Sequence, residues 1–143
     1  MSIEQNTPSY VNQGIEPQMA LNLAAQNNDL VALNEVLKSK ININATTSDG
    51  WTALHFAAFK GYDKIVSVLL KEKIDANIQG KIYGRTALHY AADRGNFAVV
   101  KLIIANGGDI NIKDSAGKTA LELARDKGFK EIVRLFDWLE FSA

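Results

Sequence analysis

Two histidines, His55 and His89, have the widest chemical repertoire of any residues in this sequence. Near neutral pH an imidazole can act as a general base, activate a nucleophile or bind zinc. The chain has no cysteine, so thiolate metal sites and disulfides are excluded. The histidines stand in nearly the same phrase, GWTALHFAAFKGY and GRTALHYAADRGN. A catalytic site needs its histidine once, so the duplication favours a structural role for both.

The phrase belongs to a repeat that covers most of the chain. Its central tetrad recurs at intervals of roughly 33 residues, a period typical of stacked helical repeats. The copies are Met19-Ala20-Leu21-Asn22, Thr52-Ala53-Leu54-His55, Thr86-Ala87-Leu88-His89 and Thr119-Ala120-Leu121-Glu122. They predict a single domain, residues 16–143, whose repeats span approximately 16–46, 47–79, 80–113 and 114–143. Residues 1–15 are polar and lack a helical period, so we expect a flexible tail there, with a partner-binding tail as the alternative.

Each repeat is predicted to fold into two helices and a turn. A threonine whose hydroxyl can accept from a free first-turn amide begins the first helix at Thr52, Thr86 and Thr119. Thr119 and Glu122 have the spacing of a capping box. A glycine suited to the left-handed conformation ends that helix at Gly61, Gly95 and Gly128, and Asn28 takes this place in the first repeat. The second helix carries paired apolar residues one turn apart, such as Ile65-Val66 and Leu69-Leu70.

These units resemble ankyrin repeats, whose pattern runs roughly G-x-T-P-L-H-x-A-A-x-x-G-h-x-x-I-V-x-x-L-L-x-x-G-A-D-x-N. Residues 50–77 and 84–111 follow that pattern closely. The resemblance implies an all-α solenoid of about four helix-turn-helix repeats with projecting β-turn loops. It also implies that His55 and His89 are hydrogen-bonding groups that tie loops together.

Some positions depart from the family pattern. The usual proline is replaced by alanine at Ala53, Ala87 and Ala120. Lys73-Ile74 replaces Gly-Ala after a second helix, so we expect a left-handed conformation at Lys73. The first repeat lacks the threonine and the histidine, as expected for a terminal repeat with one face in water.

Metal and catalytic alternatives have weaker support. Equivalent positions of adjacent repeats lie about 10 Å apart if helices pack normally, too far for two nitrogens that each approach one zinc to about 2 Å. Gly117-Lys118-Thr119 lacks the upstream glycine of a phosphate-binding loop, because Ile112 occupies that position. No Ser/His/Asp set presents itself. We expect no metal, no cofactor and no enzyme activity.

Overall charge and hydropathy narrow the partner class. Lys plus Arg number 16 and Asp plus Glu number 16, so the formal net charge is +0. This balance disfavours nucleic acid and anionic membrane as partners. The sequence shows neither a transmembrane span nor a secretory signal, and we expect a cytoplasmic protein.

A protein partner is what the resemblance implies, held by the concave face and the turn loops. The partner-facing positions that it implies are Gln26, Asn27, Ser48, Asp49, Trp51, Phe59, Lys60, Ile82, Tyr83, Arg85, Asp93, Arg94, Ser115, Ala116, Lys118, Asp126 and Lys127. Trp, Tyr and Arg, the types that dominate binding hot spots, concentrate in the two middle repeats. The hypothesis is an aromatic-centred, Arg-flanked patch around Trp51, Phe59 and Tyr83. The competing interpretation is that Trp51 packs on its own turn and Phe59 on a neighbouring helix.

Two further alternatives stay open. The C-terminal helix places Ile132, Phe136 and Leu139 on one face, whereas Trp138 and Phe141 lie elsewhere. Those two aromatic residues either cap the core or mark where a further repeat or a second subunit docks. Docking would suit a structural subunit or a fragment of a larger protein. A monomer is the favoured state. The resemblance also implies that Asn77 and Asn111 are similar to sites that asparaginyl hydroxylases modify.

Overall fold

The fold is built from four pairs of antiparallel helices. A computed structural model describes residues 14–142, and that part of the chain contains eight α-helices and no strand. They are α1 Pro17–Gln26, α2 Leu30–Val36, α3 Ala53–Lys60, α4 Asp63–Lys71, α5 Ala87–Asp93, α6 Phe97–Ala105, α7 Ala120–Lys127 and α8 Lys130–Ser142. The predicted all-α architecture is confirmed. The tail predicted for residues 1–15 lies outside the described residues, apart from positions 14 and 15.

The first helix of each repeat begins where its capping residue predicts. Thr52, Thr86 and Thr119 all have extended backbones and accept a hydrogen bond from the amide three residues later. The first repeat uses Pro17 at the start of α1 instead, since its fixed φ suits a helix start. Among the second helices, α2 is capped by Asp29, which accepts from the Ala32 N–H at 3.0 Å.

Left-handed residues end the first helices. Gly61, Gly95 and Gly128 have φ values of 76°, 73° and 76°, and Asn28 has 54°. The residue after each of them donates its N–H back into the helix, as Tyr62 does to the Ala57 oxygen at 2.9 Å. The sharp reversal turns the chain directly into the second helix. All four stop positions predicted from the sequence are therefore confirmed.

The helices form two layers. The inner layer stacks α1, α3, α5 and α7, each packed on the next, and the outer layer holds α2, α4, α6 and α8 against its own inner partners. Buried alanines let the inner helices approach closely: Ala20, Ala24, Ala25, Ala53, Ala57, Ala58, Ala87, Ala91, Ala92, Ala120 and Ala124. The outer layer supplies the larger side chains, including Leu33, Leu69, Ile103 and Phe136. The core therefore lies between the layers, and the two middle repeats are covered on both sides by their neighbours.

Projecting turns join the repeats along one edge of the stack. Each turn closes on itself, with the Thr47 N–H donating to the Trp51 oxygen at 2.9 Å and the Gly80 N–H to the Arg85 oxygen at 2.9 Å. Successive turns also bond to each other, through Lys81 N–H to Asp49 oxygen at 2.9 Å. The Ser115 N–H donates to the Tyr83 oxygen in the same way, at 2.9 Å. These bonds line up the turns as a continuous ridge beside the inner helices.

Candidate protein-binding face

The two histidines hold neighbouring repeats together. His55 Nδ1 accepts from the Thr52 backbone N–H at 3.0 Å, and its Nε2 lies 3.1 Å from the Arg85 carbonyl oxygen in the next turn. His89 repeats the arrangement with the Thr86 N–H at 3.0 Å and the Lys118 oxygen at 2.9 Å. Because a backbone N–H can only donate and a carbonyl can only accept, the proton of each ring sits on Nε2.

This arrangement uses every nitrogen of both rings. Each imidazole is 1% exposed, and burial lowers the pKa of His55 and of His89 below the ordinary histidine value. Both rings are therefore neutral at pH 7, with no free lone pair to offer a metal or a substrate. The histidines complete the helix caps and tie each turn to the one before it.

The terminal repeats replace the histidine in different ways. In the fourth repeat the Thr119 N–H donates to Glu122 Oε1 at 3.0 Å, so the predicted capping box is present, and this bond lowers the pKa of Glu122. In the first repeat the equivalent residue is Asn22, which is 9% exposed. Its Oδ1 is buried and accepts no hydrogen bond from any residue in the described part of the chain. The first repeat thus lacks the tie that the histidines supply.

An aromatic row crosses the junction between the second and third repeats. The Trp51 ring lies 4.8 Å from the Tyr90 ring and 5.8 Å from the Phe59 ring, between centroids. Phe59 also meets Tyr90 edge-on at 5.8 Å, and Phe56 meets Trp51 at 4.9 Å. Trp51 and Phe59 remain partly exposed, whereas Tyr90 is 5% exposed. Phe59 therefore packs on the neighbouring helix α5, as the competing interpretation held, whereas Trp51 packs on rings of α3 and α5 and not on its own turn. Both side chains keep an outer surface.

Two guanidinium groups lie over this row. The Arg94 guanidinium carbon is 4.4 Å from the Phe59 ring centroid, and that of Arg85 is 5.6 Å from the Tyr90 centroid. Such stacking is attractive because a cation meets the negative face of the ring. Arg85 also approaches the Tyr83 ring at 5.8 Å. The predicted Trp, Tyr and Arg residues of the middle repeats therefore lie close together, at the junction of the second and third repeats.

Arg85 is held in place by two carboxylates. Its Nε lies 3.2 Å from Asp114 and its Nη1 lies 3.8 Å from Asp93. The Asp114 side chain is 2% exposed and accepts the Ala116 and Lys118 N–H groups, each at 2.9 Å. Burial would raise the pKa of Asp114, but those amides and the Arg85 guanidinium outweigh it, so the pKa is lowered. Asp114 thus stays ionised and anchors both its own turn and Arg85.

Most other charged candidates on this face are also paired internally. Lys127 lies 3.3 Å from Asp93, and Lys118 forms an ion pair with Asp126. Arg85, Asp93, Lys118 and Lys127 therefore contribute to a network within the protein, besides presenting polar groups to solvent. A partner that engages them has to compete with, or extend, existing pairs.

Ile82 and Tyr83 project from the turn of the third repeat. Their side chains are 60% and 61% exposed, and they are neighbours in the chain, so together they form a small apolar patch. They lie in the turn that is one residue longer than its neighbours, GKIYG, so the extra residue adds apolar surface at the tip. Of the predicted binding residues, these two present the most apolar surface to solvent.

The D-x-N turns, which follow the second helices, are also linked from one repeat to the next. Asn77 Oδ1 accepts the Asp109 N–H at 2.8 Å, and its Nδ2 donates to the Gly107 oxygen at 3.0 Å. Asn44 accepts the Asp75 N–H at 2.7 Å in the same way. The side-chain amide of Asn77 is therefore engaged at both ends, whereas Asn111 is exposed. Hydroxylation of either residue stays a prediction.

The C-terminal helix buries only part of its apolar surface. Ile132 and Phe136 are each 1% exposed and Leu139 is partly buried, as predicted from their spacing. Trp138 is 63% exposed and Phe141 is 95% exposed, so these aromatic rings do not cap the core. Docking of a further repeat or a second subunit at these residues stays a prediction.

Three contributors to this face were missed in the sequence: Phe56, Tyr90 and Asp114. The two aromatic residues directly follow the histidines, in HFAA and HYAA, where the repeat pattern leaves the residue type open. Asp114 precedes the turn glycine by three residues, a position where Asp commonly bonds to backbone amides. Asp114 could have been found from local turn chemistry. Phe56 and Tyr90 could not, because their role depends on which side of the helix their rings face.

Within residues 14–142, no helix combines the length and the apolar character needed to cross a membrane.

Comparisons with known proteins agree with the repeat architecture. A family model described as ankyrin repeats (many copies) matches residues 69–124, and another, ankyrin repeats (3 copies), matches residues 3–80. The chain is also 39% identical over 67 residues to the potassium channel AKT2/3 of Arabidopsis thaliana. That matched segment covers 46% of this chain and 8% of the channel. Because the match over residues 3–80 alone takes in more than half of the chain, the protein belongs to the ankyrin-repeat family.

Proposed function

We propose that this protein binds a partner protein through the concave face and turn loops of its second and third repeats. It would act there as a non-catalytic adaptor, scaffold or inhibitor, as a monomer in the cytoplasm. Ankyrin repeats are generally protein–protein interaction modules. The family supports the class of function, and the particular surface rests on the residues of this chain.

The observation that carries the proposal is the exposed pair Ile82 and Tyr83 beside the aromatic row. These side chains are 60% and 61% exposed, and the Arg85 guanidinium carbon lies 5.8 Å from the Tyr83 ring centroid and 5.6 Å from that of Tyr90 in the aromatic row. Aromatic and arginine side chains on one rigid surface are typical of binding hot spots. Their positions are held by helix packing and turn-to-turn hydrogen bonds, so little ordering is needed on binding.

The histidines support a non-catalytic role. Both nitrogens of His55 and of His89 are committed to the hydrogen bonds that link the turns. Neither ring can serve as a general base without breaking the repeat junction that it stabilises. The two histidines therefore stabilise the stacking of the repeats.

The test compares what the wild type and an Ile82→Ser/Tyr83→Ser variant capture from an extract of the cells that make the protein. Mild cross-linking and mass spectrometry identify the captured proteins. Both side chains are mostly exposed, so the variant is expected to keep the fold, which circular dichroism checks. We expect at least one protein to be captured by the wild type and lost from the variant.

A matched control replaces exposed apolar residues of the first repeat, Met19→Ser/Val31→Ser. Met19 and Val31 are 60% and 63% exposed, fractions close to those of Ile82 and Tyr83, so the control removes two similarly exposed apolar side chains away from the proposed face. Equal capture by wild type and Ile82→Ser/Tyr83→Ser, with loss in the control, would move the binding surface to the first repeat and contradict the proposal.

A second candidate function is a structural subunit, or part of a larger assembly, that associates through the C-terminal helix. The exposed Trp138 and Phe141 favour it. Sedimentation velocity at increasing protein concentration distinguishes the two. Self-association that disappears in a Trp138→Ser/Phe141→Ser variant would support the assembly role. A sedimentation coefficient that stays at the monomer value at all concentrations would rule this role out.

A further inference from the structure

One row of side chains on the proposed binding face carries cations in three consecutive repeats. Lys60, Arg94 and Lys127 each stand directly before the left-handed glycine that ends the inner helix. The equivalent residue of the first repeat is Asn27. Stacking of the repeats places these positions side by side along the edge of the inner layer.

The members of this row differ in their partners. Lys127 lies 3.3 Å from Asp93, which also faces Arg85. Arg94 stacks on Phe59 at 4.4 Å and forms no ion pair with any residue between 14 and 142. Lys60, the neighbour of Phe59 in α3, likewise has no carboxylate partner in the described chain. Both Lys60 and Arg94 are exposed.

Stacking leaves the polar edge of Arg94 available. A guanidinium packed with its face on an aromatic ring still directs its N–H groups outward in its own plane. That fork matches the two oxygens of a carboxylate. Because the contact with Phe59 already restricts the Arg94 side chain, less side-chain freedom is lost when an acid binds.

We propose that Lys60 and Arg94 recognise an acidic segment of the partner protein, with an apolar side chain next to its carboxylates packing on Trp51 and Phe59. This inference rests on the proposed function and specifies the partner's chemistry. In the ion-pair cluster of this face, Arg85, Lys118 and Lys127 are balanced by Asp93, Asp114 and Asp126, so Lys60 and Arg94 add two positive charges without carboxylate partners. Charge complementarity therefore favours a negative partner.

A protein segment fits better than a nucleic acid. The chain as a whole has a formal net charge of +0, so it lacks the extended basic surface that phosphate contacts require. The same face offers apolar contact at the partly exposed Trp51 and Phe59 and at the exposed Ile82 and Tyr83 of the third turn. Alternating carboxylate and apolar side chains are available to a peptide.

The experiment selects binders from a phage-displayed library of random short peptides on the immobilised full-length protein. Selection is repeated with a Lys60→Glu/Arg94→Glu variant and with a control, Lys64→Glu/Lys130→Glu. The control makes the same change in net charge at exposed positions in the first turns of the outer helices α4 and α8. Acidic residues are favourable at helix N-termini, so the control should fold normally.

We expect the wild type and the control to enrich peptides that carry Asp or Glu beside an apolar residue, and the Lys60→Glu/Arg94→Glu variant to lose that enrichment. A selected synthetic peptide should bind the variant roughly tenfold or more weakly than the wild type, with affinity falling as salt rises. Affinity is measured by fluorescence anisotropy of the labelled peptide.

The remaining outcomes separate the two proposals. Peptides without acidic bias that are lost by Ile82→Ser/Tyr83→Ser would overturn the acidic-segment inference and leave the binding face intact. If the selected peptides depend neither on Lys60 and Arg94 nor on Ile82 and Tyr83, both proposals are overturned. Tighter binding of a labelled single-stranded oligonucleotide, lost with Lys60→Glu/Arg94→Glu, would assign the cations to nucleic acid and also overturn the inference.

Discussion

His55 and His89 couple the stability of the protein to pH. Burial lowers the folded-state pKa of each ring, so below the unfolded value of about 6.5 the unfolded chain binds more protons than the folded one. Their contribution is therefore complete above that pH and is lost as pH falls towards the folded pKa. We expect the unfolding free energy to drop on acidification from pH 7, by at most about 1.4 kcal/mol per pH unit for each histidine. Urea unfolding across this range measures it.

The control is a His55→Gln/His89→Gln variant, which removes both titrating rings. It should be less stable than the wild type at pH 7 and should lose most of the pH dependence above pH 5.5 or so. Asp114 and Glu122 do not interfere there, because their lowered pKa values place their effects at more acidic pH. An unchanged slope in the variant would show that other groups cause the dependence.

Lys73 is held in a left-handed conformation that its side chain disfavours. Its φ is 69°, as predicted from its place in the repeat, where the family pattern has glycine. A Lys73→Gly substitution removes the contact of Cβ with the carbonyl oxygen and should stabilise the protein by about 1 kcal/mol. Thermal unfolding provides the measurement. Asn28→Gly, at φ 54°, should give a smaller gain, because Asn tolerates this conformation. Equal effects would argue against the explanation.

Among the structural elements, the turn of the fourth repeat depends most on one side chain. The Asp114 carboxylate accepts two backbone amides and meets Arg85, which comes from the preceding turn. Asp114→Asn removes the charge and one acceptor, and we expect it to lower the unfolding free energy by about 2 kcal/mol. Urea unfolding at neutral pH measures the change.

A matched control for this element is Asp126→Asn. Asp126 is half-exposed and pairs with an equally accessible Lys118, so solvent screens the interaction and stability should change little. A loss as large as that of Asp114→Asn would mean that removing a negative charge anywhere in this repeat is costly, and that the buried turn contacts are not the cause.

The whole stack is expected to open from its ends. The two middle repeats are covered on both sides, and Ala57, Ala58, Leu69 and Ala91 are fully buried. The outer repeats expose Met19 at 60%, Val31 at 63% and Trp138 at 63%, and Asn22 of the first repeat has no partner for its oxygen. Stacked repeats are stabilised by their neighbours, so local opening should cost least at the ends.

Native-state amide hydrogen exchange tests this order. We expect slower exchange in α3 to α6 than in α1, α2 and α8. Uniform protection through all eight helices would instead indicate one cooperative unit and contradict the expectation. A protected first repeat would show that the buried Asn22 is tolerated without loss.

Local patterns were sufficient to predict the helix pairs and their boundaries. Thr52, Thr86 and Thr119 act on amides three residues away, and the left-handed residues Asn28 and Lys73 act on the turn that contains them. Such interactions depend on near neighbours in the chain, so they can be read from spacing and residue type. The same holds for the two histidines that tie the loops together. Their bond to the capping threonine is local, and their repetition in the sequence indicated a structural role.

Only the stacked structure decided what surrounds the candidate binding residues. Trp51 and Phe59 meet Tyr90 across a repeat junction, Arg85 is shared by Asp93 and Asp114, and Arg94 lies on Phe59 without a carboxylate. These partners are separated by about a repeat length along the chain, and several side chains compete for each of them. Which contact forms depends on rotamers, burial and the distance between stacked helices, quantities that exist only once neighbouring repeats have packed.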